Sequence, residues 1–211
     1  MNNKENIWNE TFKKYSPEEL GWYEEVPEIS LELIKRYCLE KKELILDAGC
    51  GRGNLILNLL KNEYKNILGI DFSSEAIKKL STDIENNLEK KEYDLLLQVK
   101  NLAKPIKFYS KGFLWHDRAV FHFLLEESEK INYIKNLNSF LKVNGFFILA
   151  CFSKDNIAEK CNGFFVKKYD KEELIELFQD NFELINFDKH DYTMPWGDTR
   201  NFIYMVFKKI K

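Results

Sequence analysis

Short apolar runs alternate with amphipathic stretches along the chain, a pattern that predicts strands interleaved with helices. The run Leu44-Ile45-Leu46 closes on Asp47 and predicts a strand over 44–47, and the helix-like spacing after it predicts a helix over 53–62. A second run, Asn66-Ile67-Leu68-Gly69-Ile70, closes on Asp71. Ser73 or Ser74 then caps a helix over 74–89 that carries Ala76, Ile77 and Leu80 on one face. Leu95-Leu96-Leu97-Gln98-Val99 predicts a third strand over 94–100, and Phe113 to His116 a short fourth. A helix over 128–142 is expected to stop at Asn144-Gly145, ahead of a fifth strand from Phe146 to Phe152 that is apolar throughout. Asp170-x-x-Glu173 reads as a capping box opening a helix to Phe178. Two last strands fall at 182–189 and 201–208.

Strands separated by helices pair in parallel and are covered on both faces. The last two strands have only the stretch His190 to Arg200 between them, so they pair as a hairpin and one of them runs antiparallel. The fold class expected is therefore α/β, a three-layer sandwich around a mostly parallel seven-stranded sheet that ends in an antiparallel hairpin. No linker, repeat or low-complexity stretch divides residues 1–211, which read as a single domain. Residues 1–40 read as helical and unusually aromatic (Trp8, Phe12, Tyr15, Trp22, Tyr23), a segment able to fold over a site as a lid or to pack on the sheet. Its last part is a helix over 28–40 with Ile29, Leu33, Ile34 and Tyr37 at helical spacing.

The chemistry concentrates where the first strand ends. Asp47-Ala48-Gly49-Cys50-Gly51-Arg52-Gly53-Asn54 is an acid, three glycines at alternate positions and a helix start. Glycine lacks Cβ and tolerates positive φ, so a ligand can approach such a turn closely. The carboxylate of Asp47 repels a pyrophosphate and attracts an ammonium or sulfonium, and the spacing is not the Gly-x-Gly-x-x-Gly of dinucleotide binders. Asp71, at the end of the second strand, is placed to accept hydrogen bonds from a ribose diol, with Phe72 beside it for an adenine face.

LDAGCGRGN followed by GIDFS resembles the first two motifs of the Rossmann-like class I S-adenosylmethionine-dependent methyltransferases. Leu114-Trp115-His116-Asp117-Arg118-Ala119-Val120-Phe121-His122-Phe123-Leu124 resembles a segment of a bacterial subgroup of that superfamily, as do Trp22-Tyr23-Glu24-Glu25-Val26-Pro27 and His190-x-x-x-x-Pro195-x-Gly197. The resemblance spans nearly the whole chain. It implies S-adenosylmethionine as cofactor and S-adenosylhomocysteine as product, held by Asp47, Gly49, Cys50, Gly51, Asn54, Asp71, Phe72, Asn101, Leu102 and His116. Asn101 stands where the superfamily usually has an acid that meets the adenine amine; the asparagine oxygen still accepts.

His116, Asp117 and His122 are the candidate catalytic groups: one histidine as general base, or all three as polar wall. The bland alternative is an Asp117–Arg118 ion pair with both histidines as packing groups. Trp22, Tyr23, Arg118, His190 and Trp196 are the candidate acceptor pocket, since the fourth strand's end, the lid and the last strand-to-strand loop converge on one sheet edge. Asp117-Arg118 is also distantly similar to the Asp-Lys-Gly segment of some eukaryotic lysine methyltransferases.

A formal charge of −2 gives no global bias towards nucleic acid or anionic membrane. Four cysteines without a Cys-x-x-Cys pair argue against structural zinc, so no metal is expected. Met1 to Asn6 has no apolar core of a signal peptide, and a cytoplasmic location is expected. The function these residues point to is methyl transfer to a small-molecule or protein side-chain acceptor, with no nucleic acid or membrane partner. The competing readings are a nicotinamide-dependent oxidoreductase and a non-catalytic nucleoside binder of the same fold. Acceptor and oligomeric state stay open at this level.

Overall fold

A computed structural model describes residues 3–87 and 93–211. The first two residues of the N-terminal segment and the last two of the helix expected over 74–89 lie outside them. In chain order the elements are α1 (Asn3–Lys14), α2 (Glu28–Tyr37), β1 (Leu44–Ala48), α3 (Asn54–Lys61), β2 (Asn66–Asp71), α4 (Ser74–Asn87), β3 (Asp94–Val99), β4 (Gly112–Arg118), α5 (Glu127–Phe140), β5 (Leu141–Phe152), β6 (Lys160–Cys161), β7 (Phe164–Phe165), α6 (Lys171–Phe178), β8 (Phe182–Thr193) and β9 (Thr199–Lys209). Among the described residues seven strands form one sheet in the order β3-β2-β1-β4-β5-β9-β8. The first five pair in parallel, and β9 runs antiparallel between β5 and β8. This is the α/β sandwich with a terminal hairpin that the apolar pattern predicts.

Alternation along the strands explains the two helical layers. Ile45, Leu114, Ile148 and Val206 face a core shared with α2, α3 and α4. Their sequence neighbours Leu46, Trp115, Phe147 and Met205 face another, built with Tyr133, Leu137 and Phe140 of α5 and with Leu174 and Phe178 of α6. Both sides of the central strands are therefore dry. No helix of the described residues is long and apolar enough to cross a membrane.

Four boundaries depart from the sequence reading. The helix expected to reach 142 ends at Phe140 and passes directly into β5 at Leu141. Asn144-Gly145 is not its stop but a bulge: pairing with β4 jumps from Gly112–Leu141 to Leu114–Phe146, and Asn144 has φ +68°. A Cβ on Gly145 would lie 2.7 Å from the Phe113 carbonyl oxygen, so only glycine admits that approach. The stretch read as a loop from His190 to Arg200 is mostly strand, with His190 paired to Phe202 and only 194–198 left as the turn. The β6–β7 ribbon is absent from the predicted elements, although Asn162-Gly163 between the two strands is a hairpin signal; both residues have positive φ. Finally, β4 runs two residues further than expected, to Arg118, and that extension decides the geometry of the site.

Candidate functional site

The glycine turn is built by the end of β2. Ile70 O accepts from Gly49 N (2.7 Å) and Cys50 N (3.0 Å), and Asp71 Oδ2 accepts from Gly51 N (2.9 Å). Gly49, Gly51 and Gly53 all take positive φ, at 73°, 51° and 73°. Asp71 is buried, and its Oδ1 also accepts from Ser73 N at 2.8 Å. Burial lifts its carboxyl to about 6 against those hydrogen bonds. Cys50 is buried in the turn, and its thiol is raised well above the usual range by burial and by the nearby Asp71 and Asp47.

Two cavities open on this turn and share Gly49, Gly51, Trp22 and Arg118. The larger, about 150 Å³, is mostly apolar and runs past Asp71, Phe72, Asn101, Leu102 and Ala103 to Phe123 and Phe164, under Trp8 and Phe12 of α1. The smaller, about 100 Å³, is the more polar of the two and is lined by Asp47, His116, Ser30, Asn54 and Tyr23 among others. A third cavity of about 400 Å³ meets the first at Trp22, Ala119 and Cys161 and continues to Met194, Trp196 and Arg200.

Strand alternation separates the Trp-His-Asp-Arg cluster. His116 is the register partner of Asp47 across β1 and β4, and its Nδ1 lies 2.9 Å from Asp47 Oδ1. A carboxylate only accepts, so Nδ1 donates there and Nε2 takes the hydroxyl of Ser30 at 2.9 Å. Both ring nitrogens of the expected base are thus committed. Asp117 points to the opposite face: Tyr133 donates to Oδ2 at 2.5 Å, and Val120 N and Phe121 N donate to Oδ1. Fully buried, Asp117 is pushed up to about 6. His122 is also fully buried between Phe123 and Phe152, accepts from Phe152 N at Nδ1, and is lowered to about 3 by burial and by Arg118. Neither Asp117 nor His122 lines any of these three cavities.

Arg118 does not pair with Asp117. Its Nε lies 3.2 Å from Glu24 Oε2 and 3.2 Å from Tyr204 Oη, its Nη1 donates to Trp22 O at 3.0 Å, and the guanidinium lies over the rings of Tyr192 and Phe202 at 4.9 and 5.1 Å. Asn54 turns its amide away from the glycine turn to Glu24 O (2.6 Å), while Asn58 reaches Glu25 O and Tyr192 reaches Tyr23 O. Residues 22–25 are therefore a strap fastened at five points. α1 is docked as well, through Asn9 to Ser73 and through Lys79 to Phe12 O.

Of the other expected site residues, Leu102 is buried in the cavity wall, and Asn101 spends its oxygen on Ala103 N at 2.8 Å, an Asx turn that offers its amide rather than a free acceptor. Trp196, half exposed, lies in the third cavity beside Gly21. His190 sits within β8 against Tyr204 and lines none of the three cavities, a correction that follows from the longer hairpin. Ser30, Tyr133 and Tyr204 escape sequence reading because they lie far along the chain from the motifs they support, and Glu24 is marked there only as part of the segment 22–27.

A methionine-derived zwitterion fused to adenosine fits this pair of cavities. The glycine turn leaves the backbone bare, buried Asp71 edges the apolar cavity, and Asp47 and Arg118 both line the other; Arg118 Nη2 is buried with no hydrogen-bond partner among the described residues.

Residues 39–204 match the protein family described as a methyltransferase domain. EEF1A lysine methyltransferase 2 of Homo sapiens is 28% identical over 186 residues, covering 83% of this chain and 70% of that protein. Its Danio rerio counterpart is 29% identical over 155 residues, covering 70% and 58%. This chain thus spans a little over half to about two thirds of the length of those curated relatives. A solved S-adenosylmethionine-dependent methyltransferase structure from Methanosarcina mazei superimposes with a TM-score of 0.72 at 22% identity, over 84% of this chain and 97% of that one, which is likeness of fold.

Proposed function

The chain belongs to the methyltransferase-domain family, and from that premise we propose that it moves the methyl group of S-adenosylmethionine to an amine, with a protein lysine as the acceptor. The observation that carries the reading is the three-glycine turn of positive φ set between two buried carboxylates, Asp47 and Asp71, where two cavities meet. Asp71 accepts from the ribose hydroxyls, and Phe72, Asn101, Leu102 and Ala103 enclose the adenine. Asp47, steadied by His116, faces the ammonium end. When bound, the cofactor supplies a methyl group already activated on a sulfonium. The chain itself has to hold the acceptor in line and keep water out.

Trp8, Phe12, Phe123 and Phe164 make the larger cavity dry, and a dry wall favours the neutral form of an entering ammonium. With His116 committed at both nitrogens, desolvation does the work expected of a general base. The third cavity, joined through Trp22, Ala119 and Cys161, is the approach for the acceptor. The lysine assignment rests on the EEF1A lysine methyltransferases of Homo sapiens and Danio rerio; placement in a bacterial subgroup rests on the Trp-His-Asp-Arg segment alone. We take residues 1–211 as one domain whose first 40 residues cover the cleft.

The test is transfer of label from methyl-tritiated S-adenosylmethionine to lysine-rich protein and to free amines, followed by mass spectrometry of the product. Methyl-lysine in protein supports the reading. Label on small amines alone moves the acceptor class, and S-adenosylmethionine bound without any turnover favours the non-catalytic binder.

A further inference from the structure

We propose that Arg118 is the carboxylate anchor of the small polar cavity: its Nη2 binds the α-carboxylate of the cofactor's amino-acid end, while Asp47 faces the α-ammonium. This rests on the cofactor reading above and adds a residue to it. Five contacts fix the guanidinium before any ligand arrives: Glu24, Tyr204, the Trp22 carbonyl and the faces of Tyr192 and Phe202. Those hydrogen bonds use Nε and Nη1. Nη2 is buried with no hydrogen-bond partner among the described residues, and Arg118 lines both cavities that meet at Gly49 and Gly51.

A buried guanidinium nitrogen without an acceptor is costly, and a carboxylate is the group whose geometry best relieves it. The cavity it shares with Asp47 holds about 100 Å³. Asp47, Glu24, Arg52 and Arg118 all line it, with Glu24 already paired to Arg118 and Arg52 to Asp83, and a wall carrying both signs complements a zwitterion better than a single cation or anion. The same positive charge disfavours an incoming ammonium at this spot, which assigns Arg118 to the cofactor rather than to the acceptor pocket.

The contacts behind the cavity fix each member of this pair. Asp47 bonds His116 and His116 bonds Ser30, while Tyr204 accepts from Arg118. The ammonium and carboxylate partners are therefore each held by buried groups before a ligand arrives.

Titration calorimetry with three probes tests the assignment: S-adenosylhomocysteine, its decarboxylated analogue S-adenosyl-3-thiopropylamine, and 5′-methylthioadenosine, which lacks the whole amino-acid end. In the native chain S-adenosylhomocysteine should bind at least about tenfold tighter than the decarboxylated analogue, the factor for one charge-assisted hydrogen bond. Arg118→Gln should remove most of that difference and leave 5′-methylthioadenosine affinity unchanged, with Arg118→Lys in between. Equal affinity of the native chain for the first two probes overturns the assignment, and this comparison stands even if Arg118→Gln does not fold. An equal loss for all three probes in Arg118→Gln also overturns it, because Arg118 would then act only by holding the strap. If the native chain binds none of the three, the cofactor reading itself falls and takes this inference with it.

Discussion

His116 Nδ1 lies 2.9 Å from Asp47 Oδ1, across the paired strands β1 and β4, at positions that are register partners in the sheet. The acid that opens the glycine turn is thus held from behind by a histidine whose other nitrogen is held by Ser30. A histidine tied at both ends orients the carboxylate and has no nitrogen free to meet the acceptor directly. His116→Ala should cost about 1–3 kcal/mol of stability, the range for leaving a buried polar group unsatisfied, and should weaken cofactor binding. Turnover at saturating cofactor should stay within about threefold, whereas loss of a general base costs about 10²-fold or more. Chemical denaturation alongside a kcat-against-KM comparison separates the two: a large fall in kcat at unchanged stability would restore His116 as the base.

Asp117 has a different task on the other face. It accepts from Tyr133 and from two backbone N–H groups of the turn after β4, where Ala119 takes φ +66° next to the cleft. Tyr133→Phe strips a partner from Asp117 and from Trp115 Nε1, which donates to the same hydroxyl. The expected loss is about 1–3 kcal/mol, read by denaturant midpoint, with substrate affinity lowered as the turn loosens. No change in midpoint would show that the turn stands without this network.

The pH behaviour of Asp117 has a definite sign. Burial raises it in the folded chain from 3.8 to about 6, so its unfavourable contribution is full above pH 6 and is relieved as pH falls towards the unfolded value. Relative to Asp117→Asn, the native chain should therefore gain about 1 kcal/mol of stability on going from pH 7 to pH 5, a tenfold difference in proton binding being worth about 1.36 kcal/mol. Paired melting curves at the two pH values check this. A gain in the opposite direction would mean that Asp117 is stabilised as an anion.

Asp71 is likewise raised to about 6 but faces the ligand. Ribose hydroxyls donate to its ionised form, so S-adenosylhomocysteine affinity should fall as pH drops below 6, approaching tenfold per pH unit, and Asp71→Asn should flatten the profile. Asp71→Ala should weaken binding by about 1–3 kcal/mol. It should also cost stability, because the buried carboxylate tethers Gly51 N and Ser73 N. Sequence reading alone puts such a strand-end acid near solvent; the pairing of β2 with the glycine turn puts it inside.

That contrast marks what is legible in the chain. Glycine spacing, strand-end acids and helix caps are local signals, and they locate the turn, Asp71 and the cleft. The roles of His116, Asp117 and Arg118 depend on whether β4 ends at residue 116 or 118, because as strand residues they alternate, which puts Asp117 on the face opposite His116 and Arg118. Asn144-Gly145 carries the same ambiguity, since a helix stop and a β-bulge use the same residues for the same positive φ. Ser30, Tyr133 and Tyr204 meet the motif only through tertiary packing, with no local sign. The β6–β7 ribbon does carry one, in Asn162-Gly163.

The strap over the cleft makes its own prediction. Asn54→Ala removes the hold on Glu24 O, and Tyr192→Phe the hold on Tyr23 O, each at about 1 kcal/mol or less. Amide exchange over residues 22–26 should quicken in either variant, most in the double, while exchange in the central strands stays slow. Unaltered exchange in the double variant would mean that Arg118 and Asn58 suffice to fasten the segment.

The central claim, that the paired cavities around Gly49 and Gly51 hold an adenosyl amino acid, meets its most direct test in calorimetric titration of the native chain with S-adenosylmethionine, S-adenosylhomocysteine and NAD. The account predicts micromolar-range binding of both adenosyl ligands, on the order of −7 to −8 kcal/mol, and no detectable binding of NAD, whose pyrophosphate meets the Asp47 carboxylate. Tighter binding of NAD than of either adenosyl ligand would contradict it.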